Sequence, residues 1–265
     1  MVRQEWQRDS DLALAHHLAE LADGIASARW RADVTCRTKA DGTAVTDVDL
    51  AVERAMLEVL AAQRPGDTVV SEEAGTRPGD PARRWILDPV DGTSRMLAGR
   101  RDWGTHIALD RDGQLDLAVL TRPTEQRRWW AVRGAGAFTC RAGGRPRRLR
   151  TSSTSRLAGA RVGGLIDSEA SVARLIGAGA RWVDDEVSPV AAMLDGAVDV
   201  LIDDAGHAWD QAPAVLLVTE AGGRFCDRAG GTRYDLGWGV YSNAHLHGQV
   251  RRLLGLRPAA EPPDR

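Results

Sequence analysis

The sequence predicts a layered α/β protein, and three patterns carry that prediction. Apolar residues recur at helical spacing near the N-terminus, β-like alternation fills Thr105 to Phe138, and short strands alternate with helices beyond residue 160. From Asp9 to about Arg31 the set Leu12, Ala15, Leu18, Ala19, Ala22, Ile25 and Ala26 marks one face of an amphipathic helix, with Asp9 or Ser10 as its expected N-cap. A short strand is expected over 33–39, then a turn at Ala40-Asp41-Gly42 and a second helix opened by Asp47 or Asp49. Arg64-Pro65-Gly66-Asp67 closes that helix. Thr68 to Ser71 and Arg84 to Leu87 read as short β runs that each end on carboxylates.

The segments THIALD, QLDLAVLTRP and RRWWAVRGAGAF, with a turn at Arg111-Asp112-Gly113, predict an antiparallel meander. Residues 140–160, rich in Arg, Gly, Ser and Thr, are the expected junction between an N-terminal half (1–150) and a C-terminal half (151–257). The second half reads as strand 160–166, helix 168–178, strand 180–183, helix 188–196, strand 198–203 and helix 210–221. The Pro-rich tail, 258–265, is expected to be disordered.

Composition mainly excludes. With 265 residues, 43% apolar and 27% charged, the chain has the balance of an ordinary soluble globular protein. Its 35 basic and 37 acidic side chains leave a net charge of −2, which offers no basic field to nucleic acid. No apolar run approaches the roughly 18 residues of a spanning helix, and MVRQEWQR lacks the apolar core of a signal peptide. Cys36, Cys140 and Cys226 are far apart and odd in number, which suits a reducing cytoplasm better than a disulfide framework or a zinc site. Lys39 is the only lysine; every other basic residue is an arginine.

Three acidic elements carry the candidate chemistry. In Leu87-Asp88-Pro89-Val90-Asp91-Gly92-Thr93-Ser94 a β run breaks at Pro and Gly, exposing two carboxylates and a main-chain carbonyl ahead of a helix start whose N–H groups suit an anion. The same acids could instead cap the turn. Ser71-Glu72-Glu73-Ala74-Gly75 follows another β run and by itself resembles a solvated turn. Trp209-Asp210-Gln211-Ala212 leads through an apolar helix to Glu220-Ala221-Gly222-Gly223, a pattern that an N-capping Asp would also give. The DxDxDG core of an EF-hand is absent. His16, His17, His106, His245 and His247 have no spacing that joins these elements and read as ordinary surface or strand residues.

Taken together and in this order, SEEAG, DPVDGT and WDQAPAVLLVTEAGG resemble the inositol monophosphatase family of metal-dependent, lithium-sensitive phosphatases. Lys39 to Asp49, KADGTAVTDVD, is similar to the family's KxDxTxVTxAD segment, and the resemblance runs from about residue 10 to 255. It implies a five-layer αβαβα sandwich, a homodimer, and hydrolysis of a small phosphorylated substrate with two or three Mg²⁺, Mn²⁺ being a substitute. Carried over by position, Glu72, Asp88 and the Val90 carbonyl would hold one ion and Asp88, Asp91 and Asp210 a second. A weaker third would lean on Glu72 and, through water, on Asp49. Thr93, paired with Glu72, would orient the attacking water, and the N–H groups of Gly92, Thr93 and Ser94 would hold phosphate. Lys39 matches a family lysine near the metals. An oxygen-only donor set suits Mg²⁺ or Mn²⁺ rather than Zn²⁺.

The chain also departs from the family. Arg95-Met96 stands where an Asn-Phe pair is usual, and Trp182 to Ser188 replaces an Arg followed by Gly-Ser or Gly-Asp. The implied substrate wall therefore carries Asp184, Asp185, Glu186, Asp203 and Asp204, with His207 just ahead of the Trp-Asp element. Such acids disfavour a second phosphate and suit hydroxyls or an amine, although they could equally form a solvated face. RRWWAVRGAGAF is most similar to the branch that dephosphorylates histidinol phosphate. The expected substrate is an inositol phosphate, histidinol phosphate, or a sugar, cyclitol or aminosugar phosphate. The alternatives are a dedicated pathway phosphatase acting on a nucleoside or cyclitol monophosphate and, more remotely, a non-catalytic relative that binds phosphorylated ligands.

Overall fold

Helix α1 spans Val2–Arg29, and its buried stripe, Leu14, Ala15, Leu18, Ala19, Ala22 and Ala26, keeps the spacing that places all six on one face. It starts before the expected cap because no Gly or Pro interrupts the residues ahead of Asp9, and Ser10 Oγ instead accepts a hydrogen bond from Arg64 Nη2 at 3.1 Å. The computed structural model describes residues 2–31, 34–165, 169–183, 189–204 and 206–256. The chain divides into two compact units, Met1–Arg147 and Arg148–Arg265.

In the first unit β1 (Cys36–Thr38) and β2 (Ala44–Thr46) pair antiparallel around Gly42, whose φ of 89° lies in the left-handed region that glycine tolerates. Helix α2 (Asp47–Gln63) is capped by Thr46 rather than by either expected acid. Thr46 Oγ1 accepts from the N–H groups of Val48 and Asp49 at 3.2 and 3.3 Å, and Asp49 Oδ2 accepts from the Thr46 N–H at 2.8 Å. This reciprocal box satisfies both ends with one hydroxyl and one carboxylate, so Asp49 occupies the third helical position.

The strands that follow are β3 (Asp67–Ser71), β4 (Gly75–Arg77), β5 (Asp80–Asp91), β6 (Gly104–Arg111), β7 (Gln114–Arg122), β8 (Arg127–Val132), β9 (Gly136–Arg141) and β10 (Arg147–Arg148). Helix α3 (Thr93–Leu97) lies between β5 and β6. They form an eight-stranded sheet in the order β10-β9-β8-β7-β6-β5-β3-β4. The β6 to β9 meander is antiparallel, whereas β3 runs parallel to β5. Contrary to expectation, β5 does not stop at Leu87 but continues through Pro89 to Asp91, since a register shift there relieves the sheet of the N–H that proline lacks. Helix α1 packs on β6 and β7, and α2 on β5, over a core that includes Trp85, Leu87, Ile107, Leu109, Leu117 and Val119.

The second unit contains β11 (Arg161–Leu165), α4 (Glu169–Gly177), β12 (Arg181–Trp182), α5 (Pro189–Leu194), β13 (Val200–Asp203) and α6 (Ala208–Glu220). Beyond the elements expected from sequence come β14 (Gly223–Cys226), β15 (Gly239–Asn243) and α7 (Ala244–Leu254). The five-stranded sheet has the order β12-β11-β13-β15-β14 and is parallel on the β11 side and antiparallel around β15. Val162, Val200, Ile202, Val240, Leu246 and Val250 fill its core. The tail 258–265 lies outside the described residues. Among the described residues no helix is long and apolar enough to cross a membrane, and Cys36, Cys140 and Cys226 are free thiols.

Candidate metal centre

Parallel pairing of β3 with β5 sets Ser71 against Leu87, so Glu72, just past the end of β3, comes beside Asp88, which is still within β5. The Glu72 N–H donates to the Leu87 carbonyl at 3.2 Å. Asp88 is 2% exposed, where an ionised carboxylate requires donors or a cation. The register shift between β5 and β6 then places Asp88 opposite His106 and Asp91 opposite Gly104. Thr105 Oγ1 donates to the Pro89 carbonyl at 2.9 Å and holds this step in place. Gly104 is obligatory there, because a Cβ would meet the Thr121 carbonyl oxygen at 1.9 Å.

His106 does not remain the ordinary strand residue that its spacing suggested. One of its ring nitrogens and carboxylate oxygens of Asp88 and Asp91 lie within 4.8 Å of one another. Its Nε2 is 3.4 Å from Asp91 Oδ2, and burial lowers its pKa against the pull of Asp91, which keeps the ring neutral. Arg122, also absent from the sequence reading, is wholly buried at the end of β7 with Nη1 3.4 Å from the same oxygen. Only the strand register brings these residues together.

Lys39 Nζ donates to Glu72 Oε1 at 2.6 Å and to Glu73 Oε1 at 3.0 Å. Burial disfavours the ammonium, but the two carboxylates outweigh that and raise its pKa. Glu53 on α2, a further residue missed from sequence, accepts from the N–H groups of Glu73 and Ala74 at 3.2 and 2.9 Å and bonds Ser71 Oγ, which anchors the Glu72-Glu73 loop.

Gly92, with φ 82°, turns the chain into α3 in a conformation that other residues adopt with strain. Thr93 Oγ1 lies 2.7 Å from Asp49 Oδ1 and 3.1 Å from the Val90 carbonyl oxygen; its hydrogen-bond partners among the described residues are these, not Glu72. Burial raises the Asp49 pKa against the hydrogen bonds from Thr46 and Thr93. Ser94 is exposed. Arg95, in the place of the family's Asn, pairs with Asp102.

In the second unit Asp210 occupies the first turn of α6, and its Oδ2 accepts from the His207 N–H at 2.6 Å. His207 stacks on Trp209 with ring centroids 4.9 Å apart. Asp203 ends β13, buried, and its Oδ1 accepts from the Gly206 N–H at 2.8 Å. Burial, with Asp203 and Asp210 nearby, pushes the Tyr241 hydroxyl well above its usual pKa. Asp184, Asp185 and Glu186 lie outside the described residues.

Comparison with known proteins places this arrangement. Residues 7–255 match the model of the inositol monophosphatase family. A Streptomyces griseus protein named glucose-1-phosphate thymidylyltransferase is 51% identical over 242 residues, covering 88% of this chain and 92% of its own. The histidinol-phosphatase of Mycobacterium tuberculosis is 38% identical over 258 residues, covering 92% and 97%. The structure of an inositol monophosphatase from Zymomonas mobilis has a TM-score of 0.79 at 28% identity, covering 94% of this chain and 98% of its own. The chain belongs to the inositol monophosphatase family and is a phosphoric monoester hydrolase.

Proposed function

We propose that this enzyme is a Mg²⁺-dependent phosphatase that hydrolyses the monophosphate of a small polyhydroxylated or amino-bearing molecule, an inositol, histidinol, sugar, cyclitol or aminosugar phosphate. The observation that carries the reading is the β3–β5 pairing, which sets Glu72 beside Asp88 with Asp91 three residues on. Glu72, Asp88 and the Val90 carbonyl would hold one Mg²⁺, Asp88, Asp91 and Asp210 a second, and Glu72 with Asp49 a weaker third. The buried Asp88 carboxylate and its hard oxygen neighbours fit such cations. When bound, Mg²⁺ supplies the positive charge that a phosphomonoester dianion needs before an oxygen nucleophile can approach.

The protein's own residues do the positioning. Thr93, held by Asp49, and Glu72, held by Lys39, would orient the attacking water. The N–H groups of Gly92, Thr93 and Ser94 would receive the phosphate. Asp203, with Asp185 and Glu186, would meet hydroxyl or ammonium groups of the substrate. A cytoplasmic homodimer is part of the same reading, supported by the free thiols and the family resemblance.

The relative named for glucose 1-phosphate gives weight to a sugar phosphate, itself a phosphomonoester, and also supports a second reading, thymidylyl transfer onto that sugar phosphate. Hydrolysis is preferred because residues 7–255 match a family of phosphoric monoester hydrolases. The test measures inorganic phosphate released in Mg²⁺ from histidinol phosphate, inositol phosphates, glucose 1-phosphate and aminosugar phosphates, beside pyrophosphate formed from dTTP with glucose 1-phosphate. Phosphate release lost in folded Asp88→Asn and Asp210→Asn proteins is expected. Pyrophosphate formation without phosphate release would replace hydrolysis by transfer.

A further inference from the structure

Two buried side chains at the acidic centre have no part in this scheme. Among the described residues, neither ring nitrogen of His106, which is 3% exposed, has a hydrogen-bond partner, and the same holds for Nε and Nη2 of the fully buried Arg122. Leaving a buried polar group unsatisfied is costly, so an orphan beside a group of carboxylates marks a position that a cation could complete. For Arg122 the neighbouring carboxylate already supplies part of the answer, since Nη1 lies 3.4 Å from Asp91 Oδ2. For His106, in the tautomer whose lone pair sits on Nε2, that nitrogen and the Asp91 oxygen 3.4 Å away are both acceptors, and a cation between them satisfies both.

The spacing is that of atoms sharing a cation. Two donors each about 2.1 Å from one first-row ion stand roughly 3.0–3.4 Å apart at right or tetrahedral angles. His106 Nε2 and Asp91 Oδ2 are 3.4 Å apart, and the Asp88 carboxylate belongs to the same group. Sheet register keeps His106 directly opposite Asp88, which puts the two side chains on the same face of the sheet.

We propose that His106 is a nitrogen ligand to the cation at Asp88 and Asp91, giving this position a mixed nitrogen and oxygen donor set that binds a first-row transition ion, Mn²⁺ among them, more tightly than Mg²⁺. Imidazole nitrogen suits such ions, whereas Mg²⁺ takes oxygen and water. Arg122 fixes the orientation of Asp91 from the protein side and offsets part of its charge. The inference rests on the proposed phosphatase site for the position of the cation, but not on the substrate or on turnover.

The experiment uses the full chain stripped of metal by a chelator and then loaded with Mn²⁺ or Mg²⁺. Calorimetry is expected to give Mn²⁺ an affinity at least about tenfold above that of Mg²⁺. Electron spin-echo modulation of the Mn²⁺ form should show coupling to ¹⁴N that changes to the ¹⁵N pattern on ¹⁵N-histidine labelling. His106→Leu should abolish that coupling and weaken Mn²⁺ about tenfold while weakening Mg²⁺ less than about threefold. The wild-type spectrum tests the proposal without any variant, and His106→Asn serves if the leucine protein does not fold. Absence of nitrogen coupling in the wild type, or coupling unchanged by His106→Leu, would overturn the inference. Phosphate release with Mg²⁺ and no nitrogen coupling would sink this inference alone; nitrogen coupling without turnover on any phosphate ester would sink the proposed function alone.

Discussion

Thr93 Oγ1 lies 2.7 Å from Asp49 Oδ1, although 44 residues separate them. The carboxylate that closes the capping box of α2 with one oxygen therefore holds the first residue of α3 with the other. Thr93→Val should lower kcat for phosphate release by about 10²-fold with little change in KM, because a hydroxyl that orients the nucleophile matters most in the transition state. Asp49→Ala should add a loss of about 1 kcal/mol in urea unfolding for the broken cap. Equal kcat for Thr93→Val and wild type would remove Thr93 from the reaction.

Lys39 places one ammonium against two carboxylates, Glu72 and Glu73. Arginine keeps the charge, but its planar fork cannot occupy the place of a compact donor that reaches 2.6 and 3.0 Å contacts. Lys39→Arg should lower kcat/KM about tenfold while shifting the thermal midpoint by only about 2 °C. A variant that unfolds early yet, when folded, turns over normally would make Lys39 structural only.

Asp11 on α1 is fully buried and shared by Arg64, Arg83 and Arg111, residues distant in sequence. Removing this acid leaves three guanidinium groups around a buried gap. Asp11→Ala should cost about 3–5 kcal/mol in chemical denaturation. A loss under about 1 kcal/mol would show that the arginines find other partners.

Asp199 accepts from the Arg161 N–H, Nε and Nη2 at 2.8–3.0 Å and from Ser152 and Thr154 at 2.5 and 2.9 Å. Burial alone would raise its pKa, yet these donors bring it down to about 2. A carboxyl depressed in the folded state stabilises the protein above the unfolded pKa of about 3.9 and loses that contribution as pH falls toward 2. Asp199→Asn should therefore cost about 2 kcal/mol at pH 7, and the gap to wild type should close between about pH 4 and pH 2 in urea titrations. A gap independent of pH would show that the charge is not what matters.

The helical stripe of α1, the β6 to β9 meander and the placement of Glu72 just after a β run were legible because each depends on residues close in sequence, whereas the continuation of β5 past Asp88 to Asp91 was not. Caps were less so: Thr46, Asp47 and Asp49 are all able to open α2, and geometry selected the threonine. Glu53 looked like one more acid on an amphipathic helix until the loop after β3 folded over it.

His106 and Arg122 show where local pattern stops. Sequence by itself determined the acidic elements, the lone lysine beside them and the mixed helix-and-sheet class, since periodicity and motif spacing are local properties of the chain. The tertiary structure alone decided which strand lies against β5 and in what register, and so which side chains share the buried space at Asp88 and Asp91. Strand pairing joins residues far apart in sequence through backbone hydrogen bonds that every residue type but proline can make, so no spacing along the chain encodes it.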